Sequence, residues 1–110
     1  MKINELLNKY TFHDSLLENI SYDKDNKKLI LTIDFCFWMQ NDYDESQPET
    51  GNIKLLFNNI ESYDGLVGDI DSYSILKTSY DNDELTISLL DDFHDEYHEI
   101  TIHSQNVIIK

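Results

Sequence analysis

The sequence predicts an α+β fold, mostly β, in which a short N-terminal helix packs on an antiparallel sheet of about six to seven strands, arranged as a sandwich or an open barrel. Three observations carry this expectation. Apolar and polar residues alternate along several segments, clusters of Asp, Asn and Lys recur between them, and helical spacing is confined to the first residues.

The opening segment sets Ile3, Leu6, Leu7 and Tyr10 on one stripe, with Asn4, Glu5 and Lys9 toward water. So short a helix is marginal alone and must dock on the rest of the chain. Residues 12–22 read as a first strand with Leu16, Ile20 and Tyr22 at even spacing, and Asp23, Lys24, Asp25, Asn26 and Lys27 form a turn. In the second strand Leu29, Leu31, Ile33, Phe35 and Phe37 face the core, while Ile30, Thr32, Asp34, Cys36 and Trp38 face the other way.

Periodicity stops at Met39, and residues 39–50 read as a long polar surface loop. Ile53, Leu55 and Phe57 alternate as a third strand, and residues 60–71, with two Gly and four acids, read as a loop. A fourth strand is expected from about Ile70 to Tyr80. The turn Asp81, Asn82, Asp83 leads to a fifth strand with Leu85, Ile87 and Leu89 inward, Ile100 and Ile102 mark a sixth, and Val107 and Ile109 a short seventh. No linker or repeat interrupts the pattern, so residues 1–110 are expected to form a single domain.

The charge balance restricts function. Asp and Glu number 22 against 8 basic residues, all Lys, for a net charge of −14. Nucleic-acid binding needs a cationic footprint and favours Arg, which is absent, so neither nucleic acid nor an anionic membrane is an expected partner. A field of this sign steers a basic protein partner and keeps the free chain soluble. Cys36 is the only cysteine, and no apolar run reaches the ~18 residues of a membrane span, so a reducing, cytoplasmic location is expected. Abundant Ile, Asn, Lys and Asp without Ala or Arg fit an AT-rich, low-GC bacterial coding sequence.

Candidate chemistry is sparse. His13, Asp14 and Ser15 have the residue types of a hydrolase triad, but neighbours in sequence do not converge as a triad must, and capping and backbone bonding are the expected roles. His94 and His98 lie in a segment rich in acids and aromatics, yet no zinc pattern accompanies them. The pairs Asp23/Asp25, Asp42/Asp44, Asp69/Asp71 and Asp81/Asp83 each start like a calcium loop but lack its Gly and Glu. No cofactor, metal site or catalytic residue is therefore expected. Cys36 is expected to pack, and Asp34 to face water or find a donor. Asp42, Tyr43, Asp44, Glu45, Asp91, Asp92, Asp95 and Glu96 are the expected partner-binding residues, because aromatic anchors inside a charged rim suit an interface.

Phe12, His13, Asp14 and Ser15, then Ile20, Ser21 and Tyr22, then the run Leu29, Ile30, Leu31, Thr32, Ile33 and Asp34 resemble the opening of small bacterial domains of unknown function. Those domains carry an HDS or HDA motif before a β-hairpin. Residues 53–60 and Ile100, Thr101 and Ile102 resemble the same group, so the likeness covers most of the chain. Some members are assigned as immunity proteins, which neutralise a toxin by binding it, and the resemblance implies binding rather than catalysis. The leading expectation is a non-enzymatic, immunity-like module for a basic partner. The alternative is a small metal-dependent or His-assisted enzyme using His13, Asp14, His94 or His98, and a third reading is a homo-oligomer paired through a strand edge.

Overall fold

The computed structural model describes Met1–Lys110, apart from the side chains of Asp69 and Asp71. The chain runs α1 (Ile3–Lys9), β1 (Leu16–Asp23), β2 (Lys28–Cys36), a 3-10 turn (Phe37–Met39), β3 (Thr50–Phe57), β4 (Ser62–Asp64), β5 (Gly68–Asp81), β6 (Glu84–Asp91), β7 (Glu96–His103) and β8 (Ile108–Ile109). All eight strands belong to one open antiparallel sheet in the order β4-β7-β6-β5-β1-β2-β3-β8.

The 14-residue strand β5 explains how one sheet encloses a core. Its first half pairs with β1, from Ile20↔Gly68 to Leu16↔Ser74, and its second half pairs with β6, from Ser74↔Leu90 to Asp81↔Glu84. A bulge between Ile75 and Lys77 lies just past the changeover, and bulges bend and twist a strand. The sheet thus folds back about β5, and the ring of Tyr63 on edge strand β4 meets that of Tyr22 on β1 at 5.1 Å. Only four residues separate β3 from β4, and four separate β7 from β8, although each pair lies toward opposite edges of the sheet order. Connections of that length span at most roughly 18 Å, so the two edges approach one another at this end.

Alternation in β2, β3, β6 and β7 appears as predicted. Leu29, Leu31, Ile33, Phe35, Leu55, Phe57, Leu85, Ile87, Leu89, Ile100 and Ile102 are buried. From α1, Ile3 and Leu6 join the same core, with Leu7 and Tyr10 packed beside them. The helix has no side-chain cap, and its N-terminus is instead tied to the β7–β8 connection: Ile3 N–H donates to the Gln105 carbonyl at 3.2 Å, and Val107 N–H to that of Met1 at 2.9 Å. Asn82 and Asp83 both have positive φ, as a two-residue hairpin of the right twist requires.

Three expectations change. The first strand begins at Leu16, and a bulge between Leu17 and Asn19 shifts its alternation, so Leu17 and Ile20 are buried and Leu16 is only half-buried. Residues 60–71 are not simply a loop but contain β4 and the start of β5. Phe37 and Trp38 leave the second strand for the 3-10 turn, which leaves Trp38 51% exposed.

Candidate functional site

The HDS motif is structural. Phe12 is buried against Phe35, with ring centroids 5.4 Å apart. His13 Nδ1 lies 2.9 Å from the Leu76 carbonyl at the β5 bulge. Asp14 takes φ 69°, a region that Asp tolerates better than most residues, and its carbonyl accepts from the Cys36 thiol at 3.4 Å. Ser15 is fully buried and its Oγ accepts the Cys36 N–H at 3.0 Å, where β1 begins beside the end of β2. Cys36 is buried, as expected, and Asp34 is half-buried on the opposite face of β2.

The other histidines also serve local architecture. The β1–β2 and β6–β7 hairpins share one design of four connecting residues. In both, the last strand residue is Asp, its carboxylate accepts an N–H three positions on, and the fourth loop residue has positive φ (Lys27 and Asp95). Asn26 bonds Asp23 in the first loop, and His94 Nδ1 lies 2.7 Å from Asp91 Oδ2 in the second, so His94 stands where Asn26 does. His98 stacks on Tyr73 at 5.2 Å, and His103 pairs with Glu84 at 2.9 Å. Among the described residues no group of three His, Cys, Asp or Glu could hold a metal. The side chains of the Asp69/Asp71 pair lie outside the described residues.

Asp91 is a correction to the predicted partner surface. It is 3% exposed, and its carboxylate accepts from the backbone N–H groups of Phe93 and His94 and pairs with the His94 ring. Burial pushes its pKa up, but the His94 ring and the two amides outweigh burial and hold it below the ordinary 3.8. Asp91→Ala is accordingly expected to destabilise the fold at neutral pH. Because the folded-state pKa is depressed, the wild-type advantage is complete above the ordinary carboxylate value and is lost as pH falls through the folded one. Urea titrations of both proteins at neutral and acid pH check this, and a gap that stays constant into acid would contradict it.

The remaining predicted residues fall into two groups on opposite sides of one line across the sheet. A row of paired positions, Asn52, Asp34, Leu16, Ser74, Leu90 and Tyr97, crosses β3, β2, β1, β5, β6 and β7. Residues 37–49 and the His13–Asp14 turn leave this row on the side of Ile75 and Leu76, with Asp14 N–H donating to the Ile75 carbonyl, whereas residues 92–95 leave it past Leu90 on the opposite side, toward Tyr73. Asp42, Asp44 and Glu45 are exposed in the first group and Asp92, Asp95 and Glu96 in the second, whereas Tyr43 is half-buried with its hydroxyl bonded to the Gln47 carbonyl.

Sequence alternation missed the apolar part of these two groups. Trp38 is 51% exposed in the first, and Phe93 and Tyr97 are 86% and 59% exposed in the second. Local bonds hold their bases in place. Trp38 N–H donates to the Glu49 carbonyl at 3.2 Å, and the Gln40 amide bridges Thr11 N–H and C=O at 2.8 Å each. Asp92 accepts the Ser74 hydroxyl at 2.6 Å. The signal available in the sequence was the position of Trp38 and Phe93 beside acidic loops, where an apolar ring has no strand partner to cover it.

The fold defines an α+β protein whose folded antiparallel sheet presents exposed aromatics within two acidic segments, residues 37–49 and 92–97. No protein-family model, curated protein or solved structure matches the chain. Among the described residues, no helix is long and apolar enough to cross a membrane.

Proposed function

We propose that this chain is a non-enzymatic protein-binding module, immunity-like in action, which holds a basic partner at residues 92–97, with residues 37–49 as a second acidic surface. One observation carries the reading: Phe93 and Tyr97 stand exposed among Asp92, Asp95 and Glu96 where β6 turns into β7. Aromatic side chains supply most of the energy in protein interfaces, and a charged surround excludes partners of like sign. The net charge of −14 then raises the rate of encounter with a basic surface.

Affinity capture from a lysate of the source organism, at low and high salt, tests the reading. One stoichiometric basic protein is expected at low salt, with loss at high salt as screening shortens the reach of the field to a few ångströms. Phe93→Ser is expected to weaken that complex by about thirtyfold or more, since a buried aromatic anchor contributes about 2 kcal/mol or more. A complex indifferent to salt, to this variant and to charge reversal at Asp92 and Glu96 would overturn the proposal.

A further inference from the structure

The 92–97 segment continues into a strand edge that the fold leaves open. β4 covers β7 only from Thr101 to His103, so residues 96–100 of β7 pair with β6 on one side and with no strand on the other. The ladder shows which groups face outward. Ser104 N–H donates toward β6, to the Asp83 carbonyl at 3.0 Å, while the His103 carbonyl accepts from Glu61 on the β4 side at 2.9 Å. Alternation along an unbulged strand then turns the N–H and C=O of Tyr97 and Glu99 away from β6. Among the described residues no other strand takes these four backbone groups.

This edge lacks several devices that usually blunt one. It has no Lys, no Pro and no bulge, and its protection is negative charge from Asp95, Glu96 and Glu99. A second copy of this chain would bring another −14 to the same line, so self-pairing is opposed. A basic strand meets no such barrier. The Tyr97 hydroxyl lies 3.0 Å from Ser88 Oγ and 2.9 Å from a Glu99 carboxylate oxygen, which sets both side chains on the outer face, while Glu96 and His98 lie on the inner one. Phe93 projects beside the start of the strand.

We propose that the partner adds an extended basic segment as a ninth strand along the free edge of β7, bonding the backbone of Tyr97 and Glu99 and placing its cations on the outer face against Glu99. The proposal rests on the basic-partner reading and specifies its mode, in which backbone bonds provide affinity and alternate side chains provide selectivity.

The test uses the full chain and two synthetic peptides: one alternating Lys and Val, and the same peptide N-methylated at every second amide so that it cannot complete a ladder. NMR titration at low salt, with amide hydrogen exchange, reads both binding and site. The unmodified peptide is expected to bind and to protect the amides of Tyr97 and Glu99, with N-methylation weakening it at least tenfold. Glu99→Pro removes an outward N–H as well as the carboxylate and should leave the β6 ladder intact, so it is expected to lower affinity by about tenfold beyond Glu99→Gln, which removes the charge alone. Equal binding of both peptides without protection at Tyr97 and Glu99 would overturn strand addition and leave the basic-partner reading standing. Binding of neither would overturn both. Protection of the same amides that grows with protein concentration alone would show self-pairing and overturn the assignment to a basic partner.

Discussion

Phe35→Ala is expected to destabilise the protein by about 3–5 kcal/mol, a large part of the roughly 5–15 kcal/mol that holds a domain folded. Phe35 is 2% exposed and lies at the centre of an aromatic cluster, with ring centroids 6.0 Å from Tyr10, 5.4 Å from Phe12 and 5.3 Å from Phe37. Tyr10 and Phe12 belong to the connection between α1 and β1 and Phe37 to the 3-10 turn, so one side chain joins two segments that do not pair with one another as strands. Truncation leaves a cavity beneath the turn that carries Trp38, and the loss should therefore reach residues 37–49 as well as the core. Equilibrium urea unfolding measures the stability, and Trp38 fluorescence in the folded state reports the turn. Phe35→Leu, which keeps most of the volume, should recover more than half of the loss. A loss below about 1 kcal/mol for the Ala variant would show that the cluster does not act as a unit.

Gly65→Ala is expected to cost about 2–6 kcal/mol, the sum of backbone strain and overpacking. Gly65 has φ +145°, a region that is almost closed to residues with a Cβ, and an added Cβ would stand 2.6 Å from Ile100 Cγ2 and 3.1 Å from Ile100 Cα. The chain passes this close because it must leave edge strand β4 and reach β5 while crossing β7 at Ile100. Tyr63 anchors the same crossing through its hydroxyl bond to the Leu66 carbonyl, and burial, with the Asp64 charge beside it, pushes the Tyr63 pKa up, which keeps the hydroxyl protonated as the donor. Gly68→Ala provides the comparison, since Gly68 has φ +102° but nothing within 4 Å of its added Cβ. Urea titration of the two variants should show the larger loss at Gly65. Equal losses would mean that only backbone strain, and not contact with Ile100, limits position 65.

Much of the fold was legible in the sequence because its signals are local. Alternation in β2, β3, β6 and β7 is a relation between residues two apart, and the Asp-rich hairpin loops work through side chains that bond backbone three positions on. The acidic balance, the docked helix and the structural roles of His13, Asp14 and Ser15 followed from composition, periodicity and turn chemistry. The strand count fell short because β4 has only three residues and lies within a stretch whose Gly and acids resemble a loop.

The site was legible only in part. Six of the acids expected on a binding surface are exposed, but Asp91 is not, because its loop consumes its carboxylate. That the two acidic segments leave the sheet on opposite sides, that Trp38 swings out of the strand, and that β7 keeps an open edge depend on pairings such as Leu16↔Ser74, Ser74↔Leu90 and Tyr63↔Ile102. By itself the sequence determined which residues alternate, where the hairpins turn and what sign of charge the surface carries. The tertiary structure alone decided which loops meet and which backbone groups stay unpaired, because a strand's partner is selected by the burial of the whole sheet and not by its nearest neighbours in the chain.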